Sequence, residues 1–483
     1  MSNSSPFLEL PVHLASFILA QLDSMQSLGS AILSHSIFYQ SFRDDTKRIV
    51  QGILRNQIPP ELMQYAAAAF ETKFVDNNDE VKVGTLLRSA FEGIGRQQDG
   101  VQFQEWCLEW MFDHSVDGTG FSTALSTRLG DQTSQFMEAV SIATIFSKTH
   151  GVVEYFCRRF AGERLPLIQH LMVGRRPEEA CPSKREAFRI RRALYRFQIY
   201  CNLLFRNEDD FHPGRRVRQM RSSYIVRHFF GCFSPWVDEQ LACIHDYLED
   251  ILSRAFDDVA AHDVDWGAKS VDWLAQGRRN EYKQAYLTYG LPFLFKLDNN
   301  HAYQQRHQLL VSKGLPRTTV ALAVHLQRAV PNNYTPHINT WSLYLRDRIP
   351  WGSEQEAHLM GRWGIDHDGA DGLDSAPFRL WLGAHLSFWA RDIPYCPEDL
   401  YLRKCGYVIW DIPLSEGARP EVNGEIKQWL KDCNRQSLID TIERQRGRGQ
   451  MKMSWKERAA ISERGGRGYW SPDGLHDISW NYA

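Results

Sequence analysis

Apolar and polar positions alternate along most of this chain with a helical period. In LPVHLASFILAQLDSM (residues 10–25), Leu14, Phe17, Ile18 and Leu22 recur at steps of three and four, so they share one helix face. Pro11 suits the position before the helix or its first turn, where a missing N–H costs little. Asp23 and Ser24 then interrupt the pattern, and either can cap the next helix, which carries Leu28, Ala31 and Ile32. The stretch SHSIF offers Ser34 or Ser36 as a further cap. A third helix follows with Phe38, Phe42, Ile49 and Ile53 on one face. Three short amphipathic helices in about 45 residues are too few to enclose a large core, and such a unit usually docks onto something.

The same period dominates the remainder. In PSKREAFRIRRALYRFQIYCNLLF, Ser183 and Glu186 have the spacing of a capping box. Ile190, Leu194, Phe197, Cys201 and Leu204 form a seam, and the arginines at 185, 189, 191, 192 and 196 are expected mostly off it. A second long helix opens at SPWVDEQ, with Ser234 as N-cap and Pro235 at the first helical position. Its stripe is Val237, Leu241, Ile244, Leu248, Ile251 and Ala255, and Asp238, Glu239, Asp246, Glu249 and Asp250 make it acidic elsewhere. Basic and acidic flanks of the two helices are suited to pairing. Only GLPFLFKL and GYVIWDIPL read as short strands, each with a proline nearby. Linker compositions occur at 75–82, 206–222 and 350–377. No unit of 20–50 residues repeats, so neither a propeller nor a leucine-rich horseshoe is expected. The fold class is therefore mainly α, with a large irregular helical domain.

Composition changes this picture little. The chain has 483 residues, 43% hydrophobic and 24% charged, with 15 Trp and 26 Phe, an ordinary globular balance. A formal charge of −2 gives no whole-chain argument for nucleic acid or an anionic membrane. No secretion signal and no membrane-length apolar run is found. Nine scattered cysteines without a CxxC suit free thiols in a reducing compartment. The expected location is intracellular, cytoplasmic or nuclear.

The opening residues carry one further signal. LPVHLASFILAQLD followed by SLGSAILSHSIFYQSF resembles an F-box, particularly the form at the start of many fungal F-box-like proteins. Leu10, Pro11, Leu14, Ile18, Leu19, Leu22, Leu28, Leu33 and Phe38 match that pattern. His13 stands where an acidic residue is common, and Ser34-His35 replaces the usual Val-Cys. YLRKCGYVIWD, much later, resembles the closing segment of the same proteins. The resemblance implies a three-helix F-box over residues 8–50 after a disordered 1–7. It implies binding to the Skp adaptor of a cullin ubiquitin ligase through Leu10, Pro11, Leu14, Ile18, Leu22, Leu28 and Phe38, some facing outward and some in the core. Residues 51–440, with a possible division near 206–222, would capture a protein substrate. Residues 441–483 are expected to be a basic, loosely ordered tail.

Candidate chemistry is sparse. DHDGADGLD (366–374) is rich in oxygen donors, but position 12 counted from Asp366 is Pro377, so it is no EF-hand and reads as a loop. Cys396, Cys405 and His385 fit no zinc spacing, nor do Cys232, Cys243 and His245. GxSxG, HExxH and the P-loop motif are absent. No catalytic residue, metal site or cofactor is expected, and the chain is read as a non-enzymatic subunit. Two other readings stay open. One is a helical scaffold whose N-terminal hairpin is only structural. The other is an RNA-associated protein using the Arg/Gly pieces RGRG and RGGRG, although a solvated tail suits those pieces better.

Overall fold

The computed structural model describes residues 10–75, 79–92, 100–111, 132–168, 181–204, 229–230, 233–268, 280–312, 322, 326, 375–386, 401–412 and 454–480. The fold is mainly α, as the patterning predicts, and the only strands among the described residues form one two-stranded hairpin. The chain divides into two compact units: unit 1 is residues 1–158 with 194–232, and unit 2 is residues 159–193 with 233–483. The F-box-like segment therefore belongs to a larger unit. The possible division at 206–222 lies outside the described residues.

Unit 1 begins with α1 (Val12–Ala20), α2 (Met25–Ser34), α3 (Ser36–Asp44) and α4 (Thr46–Gln57). The expected third helix is thus two helices. Asp45, at φ −139° and ψ 37°, breaks it, because consecutive Asp44 and Asp45 disfavour a helix interior. Ser24 is the cap of α2, its hydroxyl accepting from Ser27 N at 3.1 Å. The α3 cap is His35, whose Nδ1 accepts from Ile37 N at 3.2 Å, rather than Ser34 or Ser36. Next come α5 (Pro60–Glu71), α6 (Glu80–Glu92) and α7 (Gly100–Trp110). Pro60 starts α5 where its missing N–H is harmless, and buried Ala66–Ala69 let neighbours approach closely. α7 is tied to α4 by Arg55 on Glu105 (2.7 and 2.5 Å), Lys47 on Glu109, and Gln51 Nε2 donating to Leu108 O at 3.1 Å. Helices α8 (Gln132–Ile168) and α9 (Lys184–Leu204) each give one end to unit 1 and the other to unit 2.

Unit 2 is organised around α10 (Pro235–His262). It is followed by α11 (Val264–Gly267), α12 (Glu281–Leu287), α13 (Gly290–Asn299), α14 (Tyr303–Ser312), α15 (Ala376–Leu386) and α16 (Tyr401–Cys405). The α10 stripe is buried as predicted. The capping box of α9 forms in both directions: Ser183 N donates to Glu186 Oε2 at 2.7 Å, and Glu186 N donates to Ser183 Oγ at 3.2 Å.

Three local expectations are corrected. Arg189, Arg192 and Arg196 are buried rather than displayed. Arg189 donates to Ile409 O and Asp411 Oδ1 at 2.9 and 2.7 Å, and Arg192 to Gln240 at 2.6 Å. Arg189 thus meets the turn after α16, and Arg192 meets α10 through Gln240. GLPFLFKL is helix α13, with Pro292 harmless in its first turn. GYVIWD is a buried turn: Gly406 takes φ 68°, and a Cβ there would meet Phe160 Cζ at 2.8 Å.

The tail is ordered over 454–480. Residues 454–463 are helical, and β1 (Gly466–Gly468) pairs antiparallel with β2 (Ile478–Trp480). Ile461 and Ile478 pack on Val264, with Trp470 and Trp480 beside them. Fully buried Arg458 donates to Ala260 O at 2.7 Å and Asp263 O at 2.8 Å, at the C-terminal end of α10. The glycines of RGGRG serve this hairpin, with Gly465 at φ 80° and Gly468 at φ 111°. A few apolar anchors and one buried arginine suffice to dock a segment whose composition reads as solvated.

Candidate interaction surface

Helix α1 is apolar on two faces. The inner face, Ala15, Leu19 and Ala20, is buried. It lies on α4, where a Cβ at Gly52 would meet Ala20 at 2.8 Å. Ser16 Oγ donates to Ser41 O at 3.4 Å and Ser41 Oγ donates to Val12 O at 3.2 Å, fastening α1 to α3. Asn56 Nδ2 donates to Ala20 O at 3.1 Å and closes the helix end. On the outer face, Leu14, Phe17 and Ile18 are 45%, 53% and 46% exposed. These three are one helical turn apart, so they form a continuous ridge.

The residues predicted for the adaptor contact divide into two groups. Pro11, Leu14 and Ile18 are exposed, and Leu10, Leu22 and Phe38 are half-buried. Leu28 is 2% exposed, a core residue that supports the surface. The prediction omits Val12, Phe17, Leu33 and Tyr39, all of them exposed large apolar side chains on α1, α2 and α3. A signal for Val12 and Phe17 exists in the sequence: a nine-residue helix resting on one face has no use for four large apolar residues, Val12, Leu14, Phe17 and Ile18, beyond Ala15 and Leu19. Met25 N donates to Ser147 Oγ at 3.2 Å, and Gln57 Nε2 donates to Ser147 O at 3.2 Å, so α8 fixes the far side of this assembly.

Metal chemistry has one geometric candidate among the described residues. His245, Asp246 and Glu249 on α10 bring ligand atoms within 4.8 Å of one another. The cluster is hydrogen-bonded internally; of its ligand atoms, Asp246 Oδ2 alone is sealed without a partner among the described residues. His245 Nδ1 is 2.9 Å from Asp246 Oδ1, its Nε2 is 3.2 Å from Gln284 Oε1, and Gln284 Nε2 donates to Glu249 at 3.0 Å. Burial works against charge on His245, but Asp246 holds the imidazole above its ordinary value. Both ring nitrogens are engaged, so the arrangement is a structural network. Cys243 and Cys405 are buried, and burial drives the Cys243 thiol up, which makes it inert. Cys232, Cys396, the His385 side chain and the loop 366–374 lie outside the described residues. No helix is long and apolar enough to cross a membrane among the described residues. The chain matches no protein-family model, and neither a curated protein nor a solved structure is similar to it.

Proposed function

We propose that this chain is an F-box-like substrate-receptor subunit that joins a protein substrate to the Skp adaptor of a cullin ubiquitin ligase. The observation that carries the reading is the outer ridge of α1: Leu14, Phe17 and Ile18 stay about half exposed while the opposite face of the same helix is buried. A hairpin serving only its own fold would turn Leu10, Pro11 and Leu14 inward; Leu10 is half-buried, and Pro11 and Leu14 face solvent. The motif residues and the exposed residues coincide at Pro11, Leu14 and Ile18. In this role the chain performs no chemistry. It holds a substrate near a charged ubiquitin-conjugating enzyme and raises the effective concentration of the two reactants.

Co-expression of the full chain with an Skp adaptor tests the reading, beside the double variant Leu14→Asp, Ile18→Asp. Both positions are at the surface, so the variant folds. The native chain is expected to co-purify with the adaptor and the variant to lose it. A folded native chain that never retains the adaptor refutes the proposal.

A further inference from the structure

Glu71 ends α5 in a place hostile to a carboxylate. The residue is 8% exposed, and its Oε1 is sealed from solvent without a hydrogen-bond partner. It stands at the C-terminal end of its helix, where the carbonyl ends repel an anion. Nearby donors are committed elsewhere: the Thr72 hydroxyl donates to Ala68 O at 2.8 Å, and Asn202 Nδ2 donates to Ala69 O at 2.8 Å. Among the described residues no cation pairs with it. Lys73 in the following turn is itself desolvated, which lowers its own proton affinity. Cys107, from α7, is a thiol that burial and the Glu71 charge both push up. From α6, Lys82 is exposed and paired with Asp79.

We propose that Glu71 is a proton-operated latch of unit 1: the α5–α6–α7 layer is closed while this carboxyl keeps its proton, and it opens as the proton is lost. Burial raises the closed-state group to about 8, whereas a solvated glutamate sits near 4.5. Between those values the closed state holds a proton that the open state has released. Stability of the closed layer therefore falls as pH rises through this window, and the opening equilibrium grows about tenfold per pH unit. Below the window and above it the dependence flattens.

Hydrogen–deuterium exchange of the full chain from pH 5 to 7.5, corrected for the intrinsic chemical rate, reads the latch directly. Peptides from 60–71, 80–92 and 100–110 are expected to lose protection about tenfold per pH unit in the native chain. In Glu71→Gln, which imitates the protonated group, that slope disappears, while peptides from 235–262 keep the native profile. Glu71→Met serves the same purpose if the glutamine variant does not fold. A native slope near zero, or the same slope in native chain and variants, overturns the proposal.

Discussion

Removing the Glu239 charge while leaving Arg403 in place exposes how unit 2 holds its α16 turn. Arg403 Nε and Nη2 donate to the two Glu239 oxygens at 2.7 and 2.9 Å, and the Tyr407 hydroxyl donates to Oε1 at 3.2 Å. Glu239 is fully buried and Arg403 nearly so. Stranding one partner of such a pair costs about 3–5 kcal/mol, because the remaining charge has no water to replace its partner. Asp246 also attracts Arg403, although no hydrogen bond joins them among the described residues, so Glu239→Gln falls at the lower end, about 3 kcal/mol. Replacing both members by apolar residues, Glu239→Leu with Arg403→Met, removes the stranded charge. The double variant is expected within about 2 kcal/mol of the native chain, well short of the sum of the single variants. Urea unfolding of the native chain, Glu239→Leu, Arg403→Met and the double variant measures the cycle, with Glu239→Gln beside them. Because two units are present, local exchange protection over 401–412 accompanies it. A single variant within about 1 kcal/mol of native, or a double variant as unstable as the sum, refutes this reasoning.

Other consequences are as direct. Gly267→Ala places a Cβ 2.5 Å from Arg458 Cβ and 2.7 Å from its Nε; the clash is expected to cost about 1–3 kcal/mol and to lower the thermal midpoint. His307 Nε2 lies 3.1 Å from Asp263 Oδ2, and that hydrogen bond raises the imidazole above its ordinary 6.5. Its contribution is complete below 6.5 and is lost as pH rises through the raised value, so His307→Phe should flatten that segment of a stability–pH curve. Leu14→Ser and Ile18→Ser should leave thermal stability within about 0.5 kcal/mol of native, since each removes a surface group; a large loss would place them in the core.

Local signals in the sequence proved legible, and distant ones did not. The Ser183–Glu186 box, Pro235 at a helix start and the buried stripe of α10 all depend on neighbours within a turn or two. Among the buried arginines of α9, Arg189 depends on Ile409 and Asp411, more than 200 positions away, and Arg192 on Gln240, 48 positions away, so their charge pattern reads as solvent-facing. The run GLPFLFKL misleads because a short apolar segment fits helix and strand alike. Only the left-handed Gly290, at φ 77°, and the placement of Pro292 reveal the helix. The C-terminal hairpin hides behind a basic composition because its anchors, Ile461, Ile478 and Arg458, act on Val264, Ala260 and Asp263. At the candidate surface, periodicity marked Leu14, Phe17 and Ile18 as one face but could not say whether that face turned inward. The answer lies in Ala15, Leu19 and Gly52, small or slim residues that let the opposite side of α1 settle on α4.

The central claim is that the α1 ridge receives an Skp adaptor, and calorimetric titration of the purified adaptor into the full chain at several temperatures tests it most directly. The account predicts a saturable 1:1 complex with a negative heat-capacity change, the mark of apolar surface leaving water, and its loss in the Leu14→Asp, Ile18→Asp variant. Absence of binding by a folded chain, or binding unaffected by those substitutions, would contradict it.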